Sequence, residues 1–181
     1  MKKILLITIL LIFTLTALPA QSVSLDWYVG TWKYENIQTG DEFIIKLRKT
    51  QREIQAVFGG GTEECLVGVY SYKKNNQLLI DNINRFYDNI NPVSYPICVF
   101  SSNDGLNIKL GLGVIDYTMT NSKSKFKMIY EPSSLEFNTL SPATIKWKLV
   151  VTEQEYIFTP IEERFPRGTN LPMEMILTKV E

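Results

Sequence analysis

Apolar and polar residues alternate with a period of two along most of this chain. Phe43, Ile45 and Leu47 fall on one face of the run Phe43–Lys49, and Ile44, Lys46 and Arg48 fall on the other. The run Leu106–Val114 alternates almost strictly. Ile145, Trp147, Leu149 and Val151 share a face opposite Lys146 and Lys148, and Phe126, Met128 and Tyr130 stand opposite Lys125 and Lys127. This is the pattern of half-buried antiparallel strands, one face on a core and one in water. Residues 65–73, residues 77–83 and Ile97–Phe100 add further strand-like runs.

Turn residues separate these runs. Gln38-Thr39-Gly40-Asp41, Lys74-Asn75-Asn76-Gln77, Asn103-Asp104-Gly105 and Asn121-Ser122-Lys123 carry the Asn, Asp and Gly that tolerate positive φ in tight hairpins. Short strands at roughly ten-residue spacing predict an all-β fold, a single antiparallel barrel of about eight to ten strands. A helical period is not sustained anywhere in residues 21–181, and Pro160 and Pro166 interrupt the one stretch with a hint of it. Residues 84–96 and 153–170 are rich in polar residues and proline and read as long loops over a barrel mouth.

The N-terminus follows a different rule. Met1-Lys2-Lys3 precedes an uncharged apolar run from Ile4 to Ala17, and Leu18-Pro19-Ala20 then leads to Gln21. Positive, apolar, then small is the order of a secretory signal peptide. The run falls short of the ~20 residues a membrane-spanning helix needs. The expected division is therefore residues 1–20 as a signal peptide and 21–181 as one exported barrel domain, periplasmic or extracellular, with no membrane span in the mature chain.

Composition narrows the chemistry. The 181 residues hold 19 Lys+Arg, 19 Asp+Glu, two Cys and no His. Without His there is no Ser-His-Asp or Cys-His catalytic arrangement and no His-ligated metal. Zero net charge argues against a nucleic-acid partner, which wants a basic face. No cofactor is expected, and a non-enzymatic role is. In an exported protein Cys65 and Cys98 read equally well as a disulfide or as two buried thiols acting as small hydrophobes.

The element Trp27-Tyr28-Val29-Gly30-Thr31-Trp32-Lys33-Tyr34 follows the leader. Its Gly-Thr-Trp resembles the Gly-x-Trp element that opens the first strand of lipocalin-like barrels. The order and spacing of this segment, Phe43–Lys49, Leu66–Tyr72 and Leu171–Lys179 resemble a family of small exported bacterial proteins of uncharacterised function with a lipocalin-like β-barrel. The resemblance covers most of residues 21–181. It implies that Trp32 packs across the closed end of the barrel, and it supplies no catalytic residues. The closing-strand Arg that packs on this Trp in lipocalins has no clear counterpart; Lys179 is the nearest cation in the last strand. Trp27 and Tyr28 are expected to form a plug at one end.

Other motifs read as structure. Gly59-Gly60-Gly61-Thr62 lacks the Gly-Lys-Ser/Thr ending and the following helix of a phosphate loop, so it reads as a turn. Gly111 and Gly113 lie inside a strand pattern, where glycine marks a bulge or bend. The repeated Asp-Asn-Ile-Asn at 81–84 and 88–91 lacks the ligand ladder of a calcium loop. The adjacent pairs Glu63/Glu64 and Glu162/Glu163 point to opposite faces if extended, a poor match to paired-carboxylate hydrolysis.

Trp32, Phe43, Phe126, Trp147 and Phe158 would bury together. Two function classes follow. In the first, Trp32, Phe43, Ile45, Leu110, Phe126 and Trp147 line a pocket for a small apolar ligand. In the second, the barrel is filled by its own side chains, and its loops engage a protein or another cell-envelope component. An empty or a filled interior separates the two.

Overall fold

The computed structural model describes residues 24–53, 60–87, 95–101, 109–120, 126–130, 132–151 and 164–181. Residues 1–20, expected to form a signal peptide, and Phe158 lie outside these residues. Ten strands are formed: β1 (Gly30–Asn36), β2 (Asp41–Glu53), β3 (Thr62–Lys74), β4 (Gln77–Asp81), β5 (Ile97–Ser101), β6 (Lys109–Thr120), β7 (Phe126–Ile129), β8 (Ser134–Leu140), β9 (Ala143–Lys148) and β10 (Glu174–Lys179). They run in the order β2-β1-β10-β9-β8-β6-β5-β3-β4, and β2 also pairs with β3. That last pairing closes an antiparallel barrel of eight strands. β4 extends β3 outward, and β7 pairs with the far half of β6. Helical structure among the described residues is limited to two 3-10 turns, Leu25–Tyr28 and Ile83–Tyr87.

The hairpin residues do what their type allows. Asn75 and Asn76 adopt φ of 50° and 63°, and Gly40 adopts 70°. The Asn36 side-chain oxygen accepts from the amides of Gln38 and Thr39, closing the β1–β2 turn. Gly30 has a sharper requirement. Its φ is 129°, and a Cβ there would lie 2.2 Å from the Glu181 carbonyl oxygen. Only glycine lets the end of the chain lie against the start of β1.

Inward positions alternate along each strand as the period of two dictates. Phe43, Ile45 and Leu47 on β2 meet Tyr70 and Tyr72 on β3, and Leu112, Val114, Leu135, Ile145, Trp147 and Leu177 complete one continuous core. The ring of Phe43 lies 5.1 Å from that of Trp147 and 5.7 Å from that of Tyr70, so aromatics meet across the lumen. β8 was not legible as a strand: Ser134-Leu135-Glu136-Phe137-Asn138-Thr139-Leu140 has a weak period, and its outer half is exposed.

β7 reverses the face expected from its sequence. Phe126, Met128 and Tyr130 are 43%, 46% and 51% exposed, whereas Lys127 is 7% exposed and Ile129 is buried. Two contacts select this face. Ile129 joins the core opposite Val114. The Lys127 ammonium donates to the carbonyls of Pro166 (2.8 Å) and Gly168 (2.5 Å). An inward Lys at a barrel rim buries its stem while its charge reaches polar partners. A shift of one residue exchanges every side chain between faces.

Candidate functional site

Both ends of the barrel carry built polar features. At one end the 3-10 turn Leu25–Tyr28 acts as the plug. Ser24 caps it by accepting from the Asp26 amide. Tyr28 is fully buried, and its phenol oxygen accepts from the Phe137 amide at 2.9 Å. Its carbonyl accepts the Trp32 indole N–H at 2.7 Å. Trp27 packs on Phe137 at 5.4 Å. Lys179, register partner of Trp32, holds its ammonium 5.3 Å from the indole ring, a cation–π contact. The stopper expected from Trp27, Tyr28 and Trp32 is thus present, with Lys179 as the cation over the indole.

At the other end, Asp116 continues the inward row Leu110, Leu112, Val114 and is fully buried. Its Oδ1 accepts from the Thr118 amide (2.9 Å) and hydroxyl (2.5 Å), and its Oδ2 accepts from the Thr169 hydroxyl (2.5 Å). Asp116 lies opposite Lys127 in the β6–β7 ladder. The two charged residues therefore hold the segment 166–169 over the rim. Leu171 then enters the core, and the Pro172 carbonyl accepts the Trp147 indole N–H at 3.0 Å. Lys127 could not be found by alternation, which favours Phe126, Met128 and Tyr130 as the inner row and Lys127 as outward.

Among the described residues β5 pairs with β6 only as far as Val114, and Tyr70 bonds the β6 backbone beyond it. Its hydroxyl donates to the Ile115 carbonyl (2.8 Å) and accepts from the Tyr117 amide (3.2 Å). Burial pushes the Tyr28 phenol up to about 12 and the Tyr70 phenol further. An unfolded tyrosine titrates near 10. Below that pH both states are protonated, and the contribution is fully present. Between about 10 and 12 the unfolded chain loses the proton and the folded chain keeps it, so stability falls. Tyr28 alone is expected to remove about 2–3 kcal/mol by pH ~12. A spectrophotometric alkaline titration, run beside circular dichroism, checks this. The last tyrosines should ionise together with loss of the sheet signal; early, non-cooperative ionisation of all nine tyrosines would contradict it.

The residues expected to line a pocket are not brought together around a void. Trp32, Phe43, Ile45 and Trp147 are all 0% exposed, and Leu110 is buried. Phe126 points outward against Tyr117 (4.6 Å between rings), for the reason given for β7. A hollow lumen leaves its lining accessible to water, and Trp32, Phe43, Ile45 and Trp147 have no accessible surface.

A second, smaller cluster lies on the outer face of β3 and β5. It comprises Cys65, Val67, Val69, Cys98 and Tyr95, with Ile83 and Phe100 packed against it. Both cysteines are free and buried, so the structure realises the reading of two buried thiols and not the disulfide. Arg52 covers Phe100 at 3.9 Å and binds Glu63 through Nε and Nη2, and Arg48 covers and hydrogen-bonds Tyr95.

The remaining motifs have structural uses. Glu63 and Glu64 point apart, toward Arg52 and Lys49 respectively. Asp81 accepts from the Ile83 amide as a turn residue, and Asp88–Asn91 lies outside the described residues. Gly113 lies beneath the Tyr130 ring. No group of three or more Cys, Asp or Glu among the described residues is arranged to hold a metal ion.

These features define a lipocalin-like, closed antiparallel barrel with a packed interior and both ends tied down by polar contacts. The chain belongs to the family of unknown function DUF6705, whose match runs over residues 1–180. No curated protein and no solved structure matches it.

Proposed function

We propose that this chain is exported by its N-terminal segment and works as a non-enzymatic barrel scaffold that acts through its surface on a protein or cell-envelope partner. The observation that carries this reading is the filled lumen: Phe43 packs against Trp147, Tyr70 and Tyr72, and Trp32, Phe43, Ile45 and Trp147 have no water-accessible area. A small apolar ligand needs a concave site of roughly 300–1,000 Å³, and the described interior offers its lining to other side chains instead. The outward trio Phe126, Met128 and Tyr130 supports a role at the surface, since large apolar side chains exposed together mark interaction sites. The absence of His and the full engagement of Asp116 by Thr118 and Thr169 support a role without catalysis.

The test has two arms. Titration of the purified protein with fatty acids and aromatic compounds is expected to leave tryptophan emission unchanged, with no adduct in native mass spectrometry. Cross-linking in intact producing cells is expected to give one discrete adduct, lost in the double variant Phe126→Ser/Tyr130→Ser while its melting curve is retained. Saturable one-to-one ligand binding would overturn the scaffold reading in favour of a pocket. An N-terminus still at Met1 in the fractionated protein would overturn export.

A further inference from the structure

We propose that Cys65 and Cys98 form a redox-active dithiol on the outer face of the barrel, open in the reduced protein and closed to a disulfide by a disulfide oxidant. The ladder between β3 and β5 pairs Val67 with Cys98 and Leu66 with Val99. Cys65 therefore lies two residues along from the partner of Cys98, on the same face. The two side chains share one small buried cluster with Val67, Val69 and Tyr95. They are the only two cysteines of the chain, so neither has a competing intramolecular partner.

Their surroundings separate the two thiols chemically. The neighbouring Cys98 thiol, and after it the Arg52 guanidinium, lower the Cys65 thiol below its usual range. The Cys98 thiol is pushed up, first by that same interaction and then by burial. A thiol favoured as thiolate beside one that keeps its proton is the division of labour of an exchanging pair. The diagonal register matters as well. Diagonal neighbours across a ladder lie farther apart than directly opposed ones, and a disulfide wants its Cα atoms within about 7 Å. Closure thus requires a small slide of β5 along β3, which are joined by only three register pairs. A bridge closed against such a cost is more readily reduced than an unstrained one.

The step balances with a small-molecule disulfide as oxidant. Local opening beneath Tyr95 exposes the Cys65 thiolate, which attacks the oxidant. The oxidant's sulfur–sulfur bond breaks, a mixed disulfide forms and one oxidant thiol leaves. Cys98 gives up its proton, its sulfur attacks that of Cys65, and the second oxidant thiol leaves. The two cysteines together lose two electrons, and the oxidant becomes two thiols.

This inference is independent of export and of any partner. The full chain, purified reduced, is exposed to oxidised glutathione, unfolded in alkylating reagent and digested without reduction. The expected result is one cross-linked peptide joining residues 65 and 98, no alkylated cysteine, and a melting temperature raised by about 3–8 °C. Dithiothreitol reverses both changes, and Cys98→Ala shows no oxidant-dependent shift in melting temperature. Two alkylatable cysteines after oxidant exposure, or glutathione adducts and intermolecular dimers in place of the internal link, would overturn it. The peptide map of the natural sequence decides the matter even if a variant folds poorly.

Discussion

Trp32→Ala is expected to lower the stability of the barrel by about 4 kcal/mol, among the largest losses any single substitution here should cause. The indole is fully buried, and it makes three separate contributions. It fills the lumen at the plugged end, so its removal leaves a cavity that packed neighbours relax into only partly. Its N–H satisfies the Tyr28 carbonyl at 2.7 Å, which would be orphaned in a buried setting. It also takes the charge of Lys179 over its face. Trp32→Phe retains most of the ring and loses the hydrogen bond, so its cost should be about 1–2 kcal/mol. Urea unfolding followed by circular dichroism measures all three proteins on one scale. Phe126→Ala is the control. Its ring lies on the outer face, and its loss should stay within ~0.5 kcal/mol. Equal costs for Trp32→Ala and Phe126→Ala would mean that the inner and outer faces have been assigned wrongly.

That control bears on how much of the molecule can be read from its residues. The inner rows of β2, β6 and β9 follow from alternation alone: Phe43, Ile45 and Leu47 stand opposite Lys46 and Arg48, Leu110, Leu112 and Val114 alternate with Gly111 and Gly113, and Ile145 and Trp147 stand opposite Lys146 and Lys148. The β1–β2 and β3–β4 turns follow from Gly40 and from Asn75-Asn76, whose positive φ values are what these residue types permit. The Gly-Thr-Trp element led to a plugged end, and Lys179 occupies the place over the indole. β7 could not be read this way. Phe-Lys-Met-Ile-Tyr offers apolar residues in both phases, and the choice depends on partners more than 35 residues away, the carbonyls of Pro166 and Gly168. Local pattern cannot register a long-range polar contact. The same holds for Tyr70, whose hydroxyl bonds the β6 backbone at Ile115 and Tyr117, 45 and 47 residues away. The spacing of Cys65 and Cys98 likewise says nothing of the diagonal register that brings them together.

The polar rim should yield the second large effect. Asp116→Ala removes the acceptor for the Thr118 amide and hydroxyl and for Thr169, all around a fully buried carboxylate. It also removes the carboxylate that stands opposite Lys127 in the ladder and helps hold the same 166–169 segment. The expected loss is about 3–5 kcal/mol. Asp116→Asn keeps the acceptor for Thr118 and should cost less, about 1–2 kcal/mol. Lys127→Met keeps the buried stem and removes only the two bonds to the strap. Its expected cost is about 2–3 kcal/mol, and its signature is local. Segment 164–170 should become the first site of proteolytic cleavage, while the hydrogen-exchange protection of β2 and β3 stays unchanged. The pair Asp116→Ala/Lys127→Met should cost less than the sum of the singles, because both residues tie down the same 166–169 segment and losing either one already loosens what the other holds. Strict additivity would mean that the two residues hold the strap independently. Unchanged cleavage of 164–170 in Lys127→Met would mean that the strap is held by Thr169 and Leu171 alone.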